Sequence, residues 1–151
     1  MKLVVDTNII FSAILNEKSR IASILINYHS QFELYSSSYL KTELTKYYPK
    51  LSHLSSKSID EIERIESLVC KNIRFIDIDI LPKPDILQAK NLLHNIDMND
   101  LFFVALTNYL KATLWTGDKK LIKGLKSKNY KHVISTEDLI ETIRSAGSSI
   151  L

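Results

Sequence analysis

Short apolar runs alternate with segments of helical period along this whole chain, and that alternation limits its possible architectures more tightly than any single residue does. Lys2 to Val5 is such a run, and it stops at Asp6. An all-apolar strand of this kind is covered on both faces, as central strands of parallel sheets are. Ile9 to Leu15 begins a helix expected to continue toward Tyr28, and Phe32 to Tyr35 reads as a second strand. Serines 36 to 38 offer capping hydroxyls to a helix from about Tyr39 to Tyr47, which Pro49 is expected to stop. Ile59, Ile62, Ile65, Leu68 and Val69 recur at three- and four-residue steps, so Ser58 to Cys70 reads as an amphipathic helix.

The second half repeats the pattern. Ile73 to Ile76 is a strand candidate, Pro82 and Pro84 precede a short helix through Leu93, and Asp97 to Leu110 reads as the next helix. Thr113 to Thr116 is a β-branched and aromatic strand broken by Gly117, and Val133-Ile134 is a last short strand. Ser135 with Asp138 resembles a capping box for a closing helix to about Ser145. The expected fold class is α/β, a parallel sheet flanked by helices, with ligands at the carboxyl ends of its strands. With 151 residues, 45% of them hydrophobic, and neither a repeat nor a long linker, one domain spanning residues 1–151 is expected.

Composition excludes several classes. The lone Cys70 rules out an internal disulfide and a cysteine-based zinc cage, and it suits a reducing cytosol. Asp6 and Asn8 interrupt the apolar N-terminus, which argues against a signal peptide, and no run approaches the ~20 apolar residues of a membrane span. A cytoplasmic protein without membrane contact is therefore expected. The net charge is only +3, yet six lysines fall between Lys119 and Lys131. Such a cluster suits either phosphate contact, with Lys119, Lys120 and Lys123 the candidates, or a plain solvated face.

Acidic residues mark the strand ends. Asp6 closes the first strand and Asp118 follows a later one, so both face the crevice where such sheets bind ligands. A carboxylate there wants a cation or hydrogen bonds, because burying it unpaired costs several kcal/mol; a helix cap is the simpler role for one such residue alone. Asp100 shares a helix face with Phe103 and Val104, which favours an inward direction. Asp97, three residues earlier, stands where an N-cap belongs. Carboxylates are hard oxygen donors suited to Mg2+ or Mn2+, and the four histidines lack a paired spacing, so no zinc site is expected. Phosphodiester hydrolysis with one or two such ions is chemistry that an acid cluster serves well.

Three segments carry a family likeness: Leu3-Val4-Val5-Asp6-Thr7-Asn8-Ile9-Ile10, Asp97-Met98-Asn99-Asp100-Leu101-Phe102-Phe103-Val104-Ala105-Leu106, and Leu114-Trp115-Thr116-Gly117-Asp118-Lys119-Lys120-Leu121. In order and spacing they closely resemble PIN-domain (PilT N-terminus-like) proteins over nearly the whole chain. The resemblance implies a three-layer α/β/α fold around a parallel sheet of about four to five strands. It also implies a metal-dependent ribonuclease, with Asp6, Glu43, Asp100 and Asp118 as catalytic and metal-binding acids. Glu43 enters by this resemblance alone, since its spacing does not require it to reach the other acids. Asp97 would be an auxiliary acid, and Thr7, Asn8 and Thr116 would orient ligands or water. Related sequences often carry one more acid where this chain has Asn95.

The length is similar to that of VapC-type toxins of toxin–antitoxin pairs, which implies a homodimer, an antitoxin partner and RNA as substrate. Haloacid-dehalogenase-type phosphatases also begin with an aspartate after the first strand, but they want a second acid where Asn8 stands. Receiver-type phosphoacceptor domains place their paired acids differently. A non-catalytic RNA-binding or protein-interaction module on the same fold is the alternative from another class.

Overall fold

The computed structural model describes residues 1–147. Five strands, β1 (Lys2–Val5), β2 (Glu33–Ser37), β3 (Ile73–Ile76), β4 (Thr113–Trp115) and β5 (Val133–Ile134), form one parallel sheet in the order β3-β2-β1-β4-β5. Every pairing is parallel. The chain builds outward from β1 to β3 on one side, then crosses back and adds β4 and β5 on the other. That reversal puts a switch point between β1 and β4, where the connecting helices diverge and leave a crevice. Register pairs Val5 with Trp115, so Asp6 and Thr116 leave their strands side by side.

Eight helices flank the sheet among the described residues: α1 (Thr7–Leu15), α2 (Arg20–Asn27), α3 (Tyr39–Ser55), α4 (Ile59–Cys70), α5 (Lys83–Leu93), α6 (Leu101–Leu110), α7 (Lys119–Ser127) and α8 (Thr136–Ser145). Helices α1 to α4 pack on one another, while α6 lies on β1, β2 and β4 with α5 against it. The result is the three-layer α/β/α arrangement expected. Leu3, Val4 and Val5 are fully buried, as a central strand requires, and α6 buries Phe103 through Thr107 without a break, as a helix enclosed by sheet and neighbour must.

Several expected elements differ. The helix beginning at Ile9 does not run on toward Tyr28. Asn16 ends α1, and Ser19 starts α2 by accepting a hydrogen bond from the Ala22 N–H at 3.2 Å, so local capping overrides the apolar run. Pro49 does not stop α3, which continues to Ser55. A mid-helix proline costs about 3 kcal/mol, but Pro49 faces solvent and the two further turns fully bury Leu51, an offset of about 2–3 kcal/mol before other contacts.

Of the three serines expected as caps, Ser36 donates to the Val5 carbonyl at 2.7 Å, within the sheet. Ser37 accepts from the Tyr39 N–H at 3.0 Å, and Ser38 accepts from the Ile78 N–H at 3.4 Å. The segment read as one helix from Asp97 begins instead as a 3-10 turn, Met98–Asp100, before α6. Helix α7 carries the first lysines of the cluster, with Lys119, Lys120 and Lys123 on an exposed helix face. In α4, Ile62, Ile65 and Val69 are covered within the monomer, whereas Ile59 and Leu68 remain exposed.

Candidate active site

Asp6 is the acid that the fold constrains most. It occupies the cap position of α1, yet its side chain makes no capping hydrogen bond. Instead the Thr116 hydroxyl donates to Oδ2 at 2.7 Å and the Asn8 amide donates to the same oxygen at 3.2 Å. The Asn8 amide also reaches Thr116 Oγ1 at 3.2 Å, and its own Oδ1 accepts from the Gly117 N–H at 2.9 Å. The Asp118 N–H donates to Thr116 Oγ1 at 3.1 Å. Four residues that the sequence offered as orienting groups or acids, Asp6, Asn8, Thr116 and Asp118, thus form one network across the β1–β4 switch point. Asp6 is 4% exposed. Burial pushes its carboxyl up to about 6, against the Thr116 hydroxyl and the Thr7 backbone N–H, while the charges of Glu43 and Asp118 push further upward.

Asn8 stands where a phosphatase of the haloacid dehalogenase type would need an acid, and both ends of its amide are engaged in this network. Asp118 caps α7, with Oδ1 accepting from the Leu121 N–H at 3.1 Å, and its charge reaches Asp6 and Asp100.

Asp100 is carried inward by the 3-10 turn. Its Oδ2 is buried and has no hydrogen-bond partner. Burial first, then the charges of Asp6, Asp97, Asp118 and Glu43, push this carboxyl up to about 8. Asp97 is exposed and caps the turn, accepting from the Asn99 N–H at 2.9 Å, so capping is its observed role beside its electrostatic effect on Asp100. Asn95, at the position of a further family acid, adopts φ +66°, a left-handed conformation that asparagine tolerates better than most side chains.

Glu43, which spacing alone could not assign to the site, is drawn there by Thr7. The Thr7 hydroxyl donates to Glu43 Oε1 at 2.7 Å, joining the start of α1 to α3. Glu43 is half-buried, and burial raises its carboxyl above the ordinary value, opposed by the Thr7 hydroxyl and by the charge of Lys46. Its influence appears in the environments of both Asp6 and Asp100. The sequence reading missed this Thr7–Glu43 link, for which no local pattern exists.

Among the described residues, no group of three or more His, Cys, Asp or Glu side chains is placed so that together they could hold a metal ion directly. The acids whose charges act on one another, Asp6, Glu43, Asp100 and Asp118, offer only carboxylate oxygens, and one of these, Asp100 Oδ2, is a buried acceptor without a donor. Both features fit a hard divalent cation that retains part of its water shell, as Mg2+ does, better than a fully protein-ligated ion.

Lys119, Lys120 and Lys123 are exposed on α7, the helix that Asp118 caps. Lys128 is committed elsewhere, its ammonium donating to the carbonyls of Leu92 and His94, each at 2.7 Å, where it holds the end of α5.

A parallel α/β domain with carboxylates at the carboxyl edge of its central strands is thus defined by fold and site. The PIN domain family model matches residues 4–141, and the chain belongs to that family. Comparison with curated proteins gives no match. Among solved structures, the chain is similar to one in VapBC2 from Rickettsia felis, a complex bound to a DNA fragment from its promoter. The TM-score is 0.66 and the identity 20%, over 89% of this chain and 97% of that one. No helix of the described residues is long and apolar enough to cross a membrane.

Proposed function

We propose that this protein is a metal-dependent ribonuclease that hydrolyses RNA phosphodiester bonds at the acid cluster. The observation that carries the reading is Asp100, with one oxygen buried and unpartnered and its carboxyl raised by the charges of Asp6, Asp118 and Glu43 from other segments. So many carboxylates in one crevice repel one another and cost stability unless a cation offsets them. Asp6, Asp100 and Asp118 would hold one or two Mg2+ or Mn2+ ions, directly or through water, with Glu43 beside them. A bound divalent ion supplies charge to steady a phosphoryl group and polarises the attacking water.

The chain's own residues divide the remaining work. Thr116 and Asn8 fix the orientation of Asp6, and the Asp97-capped turn aims Asp100 inward. Thr7 engages Glu43 Oε1 and leaves Oε2 to accept the proton of a water whose oxygen bonds to phosphorus as a P–O ester bond breaks. The departing oxygen takes a proton from solvent.

The direct test is calorimetric titration of the metal-free protein with Mn2+. Binding that Asp100→Asn weakens at least tenfold is expected; absence of binding by the folded wild-type protein contradicts the reading.

The same reading includes a cytoplasmic homodimer, a single domain over residues 1–151, and an antitoxin partner. The likeness to a VapBC2 chain supports the toxin role, and the exposed Tyr47 and Leu54 on α3 with Ile59 and Leu68 on α4 supply apolar surface for partners.

A further inference from the structure

Between α5 and α7 lies a cleft of about 770 Å³ that continues into a smaller one of about 260 Å³. The two share Asn95, Ile96, Gly124 and Ser127 as lining, so they form one groove. Gly124 makes its floor. A Cβ at that position would come within 2.7 Å of Ile96 Cδ1, so the close approach of α7 to the loop after α5 depends on this glycine. Lys128 fixes the other wall through its bonds to the Leu92 and His94 carbonyls.

The charge of the groove is one-sided. Lys90, His94, Lys120 and Lys123 line it and no carboxylate does. The three lysines are exposed, and the ion pair found among the described residues, Arg64–Glu17, lies elsewhere. Leu87 and Met98, 60% and 49% exposed, add apolar surface to the larger cleft that Lys90 also lines. Two residues of its lining stand next to the acids in sequence: Met98 lies between Asp97 and Asp100, and Lys120 follows Asp118 by two residues.

A polyanion with flat apolar faces matches this combination. Cationic side chains track a phosphate backbone while apolar surfaces take unstacked bases, which is how single strands are held without a base code. We infer that the α5–α7 groove is the path along which single-stranded RNA enters the acid cluster, with Lys90 and Lys123 contacting phosphates and Met98 a base. The substrate follows from the proposed hydrolysis and rests on that reading; the path and the residues Lys90, His94 and Met98 go beyond it.

The test compares two double variants of the full-length protein, Lys90→Gln/Lys123→Gln in the groove and Lys111→Gln/Lys131→Gln. The second pair lines a separate cleft at the amino-terminal edge of β4 and β5 and removes the same charge. Fluorescence anisotropy of a labelled single-stranded oligoribonucleotide in EDTA, over a series of KCl concentrations, gives affinity and salt slope. The groove pair is expected to raise Kd about tenfold and to lower the salt slope by about 1.4, and the distal pair to leave both near wild type.

Equal weakening by both pairs, or by neither, overturns the inference. So does groove-dependent binding of a polyglutamate peptide without any groove effect on RNA, which would assign the surface to a protein partner. A parallel Mn2+ cleavage assay separates the two levels. Cutting by wild type with no groove effect sinks the path alone, whereas groove-dependent binding without cutting sinks the hydrolytic reading and leaves the path.

Discussion

The Thr116 hydroxyl donates to Asp6 Oδ2 at 2.7 Å across the β1–β4 boundary, tying the ends of two central strands at the sheet's switch point. Parallel register alone brings the two residues together, and their chemistry follows from that. Thr116 offsets part of the burial that pushes the Asp6 carboxyl upward.

Replacing Thr116 by valine keeps the shape and the β-propensity but removes the donor. Asp6 then has a higher pKa and a looser orientation, and activity is expected to fall about tenfold or more. Stability falls by about 1–3 kcal/mol, the range for a polar group left unpaired, because the Asp118 N–H loses Thr116 Oγ1 as its acceptor while Asp6 Oδ2 keeps only the Asn8 amide. Thr116→Ser should restore most of the activity. Steady-state cleavage rates beside thermal melts separate the two effects.

Thr7→Val should act on Glu43 in the same way. The hydroxyl is what holds Glu43 Oε1 near the other acids, so its loss is expected to lower kcat with little change in KM for RNA. Glu43→Gln, which keeps a similar shape, should cost at least as much. An equal rise in KM with kcat unchanged would assign Thr7 to RNA binding instead.

The raised carboxyls make stability depend on pH. Asp6 is pushed up to about 6 and Asp100 to about 8, from an ordinary 3.8. Between those values the folded protein keeps protons that the unfolded chain has released. The associated stability is complete below 3.8 and is lost as pH rises through 6 and then 8. The metal-free protein should therefore melt at lower temperature at about pH 8 than at about pH 5. Asp100→Asn should flatten that fall, with a gain at high pH of about 3 °C or more, since each kcal/mol is worth about 2–4 °C at this size. Mn2+ should raise the melting temperature more at the higher pH, and differential scanning calorimetry with and without the ion reads all three effects.

Gly124→Leu should disturb both packing and groove. The added side chain meets Ile96 at van der Waals overlap, and overpacking of this kind costs about 1–3 kcal/mol. Gly124→Ala is the milder test, because its gain in helix propensity of about 1 kcal/mol opposes the contact. Urea unfolding of the two variants measures the difference.

Strand ends and helix caps explain how far the sequence alone could be read. Asp6 and Asp118 were legible because an apolar run followed by an acid is a local pattern, and the Phe103–Val104 face gave Asp100 its direction. Glu43 was reached only through family likeness. The Thr7 hydroxyl that recruits it lies 36 residues away, and such a pairing exists only after α1 and α3 have packed. Proline at position 49 misled for a related reason, since burial of Leu51 is a tertiary gain that no local rule contains. The bounds of α7 were left open by its lysines, although Asp118 as cap with Leu121 and Leu125 four residues apart marked them. Nor could spacing separate Lys128, which ties down α5, from its exposed neighbours Lys120 and Lys123.

The most direct test of the central claim is cleavage of an end-labelled single-stranded RNA by purified protein with Mn2+, with Mg2+ and with EDTA, beside Asp6→Asn and Asp118→Asn. The account predicts cutting with either ion, none in EDTA, and a loss of at least a hundredfold in both variants. Cutting that persists in EDTA or in either variant, or none by folded wild-type protein loaded with Mn2+, would contradict it.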